Sequence, residues 1–224
     1  MLGGSIGLAA KRRGVAARVC GLVRREESIA ECLAAGVVDD ATLDAAEAVV
    51  GTDLVILCTP VGQMGELATT LKPHLAADAI VTDVGSVKGS ICQAATAFAN
   101  TNATFIGSHP MAGSDKAGMG HARSDLFENR PCFITPESGT QPSLIQSLSS
   151  FWQKLGMTVT TATASEHDEI VAHVSHLPHA VASAVCHLLA QRSHEWSNFL
   201  GRQHAGRSSI SFNNTTGRAV VYTA

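Results

Sequence analysis

Leu54-Val55-Ile56-Leu57-Cys58, followed at once by Thr59-Pro60, decides the fold. Five consecutive apolar residues without alternation describe a strand buried on both faces, as happens when helices cover a parallel sheet from either side. Comparable short runs stand at 18–23, 79–83, 104–108, 132–135 and 158–161, with helix-like segments between them. That alternation predicts an α/β fold, a doubly wound parallel sheet wrapped in helices.

Composition agrees with a soluble small-molecule enzyme. The 224 residues are 45% apolar and 16% charged, and 16 basic against 19 acidic side chains leave a net charge of −3. With no basic run longer than Lys11-Arg12-Arg13, the sequence argues against a nucleic-acid partner. No stretch reaches the roughly 18 apolar residues that span a bilayer, and no leader-like start is recognisable, so a cytoplasmic location without membrane association is expected. Six cysteines are scattered singly with no CxxC pair, which reads as buried thiols.

After residue 161 the pattern changes. Ser165-Glu166-His167-Asp168 reads as a helix start, with acids in the first turn. Ile170, Val174, Leu177, Val181, Val185 and Leu188 then recur at spacings of three and four, one apolar stripe of a long helix. Pro178 removes a donor and crowds the Val174 carbonyl, so a kink or boundary is expected near Leu177. Beyond Arg192 the periodicity is lost, and a weakly structured tail is expected. The chain therefore divides into 1–162, a dinucleotide-binding unit, and 163–224, the start of an all-helical domain with an irregular tail.

The amino-terminal Met1-Leu2-Gly3-Gly4-Ser5-Ile6-Gly7 leads into a helix whose basic end, Lys11-Arg12-Arg13, precedes Gly14. Glycines at a helix entrance permit close backbone approach, and the amides there can hold a pyrophosphate; they are also a common packing device. The next strand, at about 19–23, arrives at the spacing of a dinucleotide-binding βαβ unit. Gly3, Gly4, Ser5 and Ile6 are thus candidate cofactor contacts.

These stretches, with Cys58-Thr59-Pro60-Val61, Asp83-Val84-Gly85-Ser86-Val87-Lys88, Gly107-Ser108-His109-Pro110-Met111-Ala112-Gly113 and Ser175-His176-Leu177-Pro178-His179, resemble in order and content the prephenate and arogenate dehydrogenases of tyrosine biosynthesis. The resemblance runs over residues 1 to about 190. It implies a Rossmann-type domain followed by a helical domain that forms a homodimer. It also implies NAD(P)-dependent oxidative decarboxylation of a cyclohexadienyl substrate, prephenate or arogenate. Gly3 matches the last glycine of the family's GxGxxG, so the chain is expected to begin inside that motif, without its first strand. The family's substrate-binding arginine has no recognisable counterpart after residue 192, where Arg202, Arg207 and Arg218 are candidates by residue type alone.

The implied chemistry assigns roles. Prephenate carries a hydroxyl and a hydrogen on one ring carbon, and a group must take the hydroxyl proton as hydride leaves. Histidine titrates in the range this needs. By resemblance His109, at the carboxyl end of the strand predicted at 104–108, is that group. Ser86 is its hydrogen-bonding companion or an ordinary helix cap. Lys88 reads as a solvated helix-start lysine that could alternatively line the site. Thr59 and Pro60 lie where backbone approaches the cofactor, and Ser114 and Asp115 continue the His109 loop toward the substrate. His176 and His179 are placed at the cleft, where one could orient a carboxylate.

His173, His176, His179 and His187 suggest a metal cluster only by spacing, with no HExxH or paired cysteines, so no metal is expected. His121, His167, His194 and His204 read as surface residues. Arg24 and Arg25 follow the second strand where an acid would bind the adenosine ribose, which favours NADP over NAD unless Glu26 and Glu27 pair with them. Two other readings remain: a related Rossmann-plus-helical dehydrogenase or reductase, disfavoured because 165–191 contain no lysine, and a catalytically dead fragment serving as a binding module.

Overall fold

The computed structural model describes residues 1–94, 103–113 and 118–192. The expectations placed on Ser114, Asp115, His194, His204, the three late arginines and the tail lie outside these residues. The chain enters on α1 (Leu2–Arg12) and continues through β1 (Cys20–Leu22), α2 (Glu26–Ala34), β2 (Asp40–Thr42), α3 (Ala45–Val49), β3 (Leu54–Leu57), α4 (Val61–Leu71) and β4 (Ile80–Asp83). Then come α5 (Gly89–Ala94), β5 (Thr104–Phe105), β6 (Gly107–Pro110), β7 (Pro131–Thr135), α6 (Pro142–Lys154), β8 (Thr158–Thr161), α7 (Ala164–Val171) and α8 (Leu177–Arg192).

The unbroken apolar run of β3 is explained by two cores. Leu54 and Ile56 enter one with Ile6, Ala9 and Ala10 of α1 and Trp152 of α6, while Val55 and Leu57 enter another with Met64, Ala68 and Leu71 of α4. Pairing is parallel in β1-β2, β3-β4-β5 and β7-β8. Among the described residues no strand pairing joins β1 to β3.

Three details depart from the sequence reading. The strand expected at 104–108 is split: Thr104 and Phe105 pair with β4, whereas Gly107–Pro110 pair antiparallel with β7. A side chain at Gly107 would place its Cβ 2.4 Å from Thr135 Oγ1, so this crossing needs glycine. β2 was not anticipated, because Asp39 and Asp40 look like loop residues; they pair instead with Lys11 and Arg18. Among the cysteines, Cys20, Cys32 and Cys132 are buried, but Cys186 is exposed on α8.

The helix after residue 161 is capped by Thr163, two residues earlier than Ser165: its hydroxyl accepts from Glu166 N, and Glu166 returns a bond to the Thr163 amide. A π-helical turn (Ala172–His176) separates α7 from α8, and Pro178 is the second residue of α8. The proline thus perturbs the ladder one turn upstream, as its missing donor requires. The predicted stripe is solvent-exposed, from 41% at Ile170 to 62% at Val174 and Leu188. No helix among the described residues is long and apolar enough to cross a membrane.

Candidate active site

β4 ends on Asp83, and its carboxylate organises the loop that follows. Oδ2 accepts from Gly85 N at 2.7 Å and Oδ1 from Ser108 N at 3.0 Å. Lys88, whose side chain is fully buried, returns to form an ion pair with Asp83 and donates to the Ser108 carbonyl at 2.7 Å. This corrects the solvated lysine of the sequence reading: five residues of loop bring Lys88 back over a buried carboxylate. Burial pushes the Asp83 carboxyl up, opposed by Lys88 and the two amides. Ser108 Oγ donates to the Asp83 carbonyl at 2.6 Å, which leaves Thr82 Oγ1 as the donor in their 2.8 Å contact. A Cβ at Gly85 would sit 2.4 Å from Ile91 Cδ1, so the loop closes this tightly only around glycine.

His109 stands next to Ser108 on this frame and is 9% exposed. Burial, with smaller contributions from His167, Lys88 and His176, pushes its pKa down to about 4, so the ring is neutral at pH 7. Its Nδ1 lies 2.9 Å from Nε2 of His167, and Nδ1 of His167 lies 2.8 Å from Asp168 Oδ1. His167 is fully buried, edge-on to Phe133 with ring centroids 5.3 Å apart. The sequence reading had left His167 on the surface and gave Asp168 no role beyond the first helical turn. The only signal was their adjacency on a capped helix, since nothing local shows which face meets the sheet. Asp168 also accepts from Lys88 N at 2.7 Å and Gly89 N at 2.8 Å, so α7 caps α5. Ser86 therefore is not that cap; it is exposed on the loop between Asp83 and Lys88.

At the end of β3, Thr59 is buried and its Oγ1 has no hydrogen-bond partner among the described residues, while Pro60 is exposed at the start of α4. Cys58 is close enough to the chain's amino terminus to feel its charge, although burial pushes the thiol up to about 12. α1 begins at Leu2, directly after Met1. Met1 provides no side-chain cap there. Gly3 is buried in the first turn; Gly4 is held glycine by packing, since a Cβ would meet Met119 Sδ at 2.5 Å. Ser5 Oγ donates to the Met1 carbonyl and accepts from Arg123 N, and Ile6 fills the core. Side chains here are committed to the fold, which leaves backbone as the part of this turn that can meet a ligand.

Arg24 and Arg25 are exposed after β1, and Arg24 donates to Gln63 Oε1 in the first turn of α4 at 3.1 Å. Among the described residues no ion pair joins either arginine to Glu26 or Glu27. His176 and His179 are both exposed; His176 contributes weakly to the lowering at His109, and His179 bonds the Ser175 carbonyl through Nδ1 at 2.6 Å. His173 Nδ1 bonds the Glu169 carbonyl at 2.7 Å. No group of three metal-ligating side chains comes together among the described residues.

Two family models match the chain. The family model for the nucleotide-binding domain of prephenate dehydrogenase matches residues 6–161, and that for its dimerization domain matches residues 163–214. The chain belongs to the prephenate dehydrogenase family. It is 37% identical over 145 residues to the cyclohexadienyl dehydrogenase of Zymomonas mobilis, covering 64% of this chain and 49% of that protein. The prephenate dehydrogenase of A. aeolicus, solved with hydroxyphenyl propionate and NAD+, superposes with a TM-score of 0.77 at 31% identity, over 86% of this chain and 67% of that one. The Synechocystis arogenate dehydrogenase gives 0.77 at 30% identity, over 95% and 76%. The chain spans about half the length of the curated relatives it matches.

Proposed function

We propose that the protein catalyses the NAD(P)-dependent oxidative decarboxylation of prephenate or arogenate, yielding 4-hydroxyphenylpyruvate or tyrosine. The observation that carries the reading is His109: buried, neutral, and fixed at a strand end on an ion-paired frame, as a proton acceptor at the carboxyl edge of an α/β sheet should be. In this reading His109 takes the hydroxyl proton while the same ring carbon loses hydride, and returns it to the oxygen once carbon dioxide has left. Ser86 hydrogen-bonds beside it. His176 and His179, with Ser114 and Asp115, orient the side chain and carboxylate of the substrate.

The residues present fit a dinucleotide. Thr59 Oγ1, buried and without a hydrogen-bond partner among the described residues, supports a cofactor site at the end of β3. Backbone at Gly3, Gly4, Ser5 and Ile6, with Thr59 and Pro60, would hold it. The bound nicotinamide supplies the hydride acceptor. Arg24 and Arg25, exposed and without acidic partners among the described residues, would receive a 2′-phosphate, so NADP is preferred. A cytoplasmic homodimer completes the proposal. The dimerization-domain match and the exposed stripe on α8 support the dimer.

The test is absorbance of reduced nicotinamide when the purified protein is given prephenate or arogenate with NAD or NADP, together with identification of the aromatic product. Reduced cofactor and aromatic product in equal amounts are expected. No turnover with either substrate would overturn the proposal.

A further inference from the structure

Two residues outside the nucleotide-binding part decide which nitrogen of His109 carries the proton. Both oxygens of Asp168 already accept backbone amides, Oδ1 from Lys88 and Oδ2 from Gly89, which suits an ionised carboxylate. Oδ1 also faces His167 Nδ1, and a carboxylate oxygen can only accept, so His167 donates from Nδ1. A neutral imidazole that donates at one nitrogen accepts at the other. Nε2 of His167 is therefore an acceptor, and the 2.9 Å contact obliges His109 to donate from Nδ1.

We propose that Asp168 and His167 are positioning residues that lock His109 as the Nδ1–H tautomer and leave its Nε2 unprotonated as the site of proton acceptance. The catalytic consequence rests on the reading of His109 as the hydroxyl base; the tautomer does not. Supporting features are independent of one another. His167 is fully buried against Phe133, which disfavours its charged form, and a charged His167 would donate from Nε2 and reverse the chain of bonds. Asp168 is held below the usual carboxylate range: burial raises it, but the Lys88 and Gly89 amides and His167 outweigh that. Because the same carboxylate caps α5, the geometry of the Ser86 loop and the tautomer of His109 are set by one side chain. The logic is that of an acid–histidine pair that orients a base, extended by one imidazole.

Histidine-labelled protein, read by long-range proton–nitrogen correlation at neutral pH, tests this without turnover, with signals assigned by their loss in His109→Asn and His167→Phe. Wild-type His109 should show a protonated Nδ1 and a pyridine-type Nε2. Asp168→Ala removes the oxygen that accepts from His167 Nδ1 and should release both rings into exchange between tautomers, with kcat lower by about 10²-fold or more and KM and cofactor affinity within about threefold. His167→Phe keeps a packed ring and leaves the α5 cap intact. It should release His109 into exchange between tautomers. His109 protonated at Nε2 in the wild type, or still wholly Nδ1–H in His167→Phe, would overturn the inference. The expected tautomers with no turnover would count against the activity and leave the relay standing.

Discussion

Lys88→Met removes the ammonium from a site where neither partner touches solvent, since the side chains of Lys88 and Asp83 are both fully buried. Methionine fills most of the same volume, so little cavity opens. What remains is an ionised Asp83 with two amide donors and no counter-charge. Breaking a buried pair in this way costs about 3–5 kcal/mol, because the surviving charge must stay desolvated or take a proton. For a domain of this size that corresponds to a fall in Tm of about 6–20 °C. Asp83→Asn in the same protein removes the stranded charge and should recover a large part of the loss. Urea unfolding followed by the fluorescence of buried Trp152 measures all four corners of this cycle. A loss under about 1 kcal/mol for Lys88→Met, or no recovery in the double variant, would refute the claim that the pair holds the frame of His109.

Acid should destabilise the protein through His109. Its folded pKa of about 4 lies below the ordinary 6.5, so the unfolded chain binds more protons between these values, and stability is lost as pH falls through the window. The loss reaches about 3 kcal/mol and should flatten in His109→Asn, as measured by unfolding at a series of pH values. Arg24→Ala with Arg25→Ala should weaken NADP by about tenfold and leave NAD nearly unchanged in calorimetric titrations, and equal losses would remove these arginines from phosphate recognition. Val181→Glu, in the middle of the exposed stripe on α8, should shift the protein toward monomer in sedimentation velocity, and an unchanged distribution would place the interface elsewhere.

What could be read in advance depended on whether the signal was local. β3 declared itself because burial on both faces forces apolar residues at every position, and His109 because its neighbours carry a family pattern. Lys88 was misread, since a lysine implies solvent unless the burial of a partner five residues earlier is known. His167 was misread for the same reason: a histidine on an amphipathic helix says nothing about what the helix docks against. β2 escaped notice because it is three residues long and opens on Asp40 beside Asp39, whose side chains stay solvent-exposed while they pair with Arg18 and Lys11. The split of residues 104–108 between two sheets depends on the contact at Gly107, which is a property of the packed chain.

The steady-state rate of His109→Asn, with prephenate and saturating cofactor, bears most directly on the account. Asparagine keeps a polar group of similar reach but cannot take the proton, so kcat should fall by about 10²-fold or more while cofactor affinity stays nearly unchanged. A variant that retained more than half of the wild-type kcat would remove His109 from the chemistry and contradict the mechanism built on it.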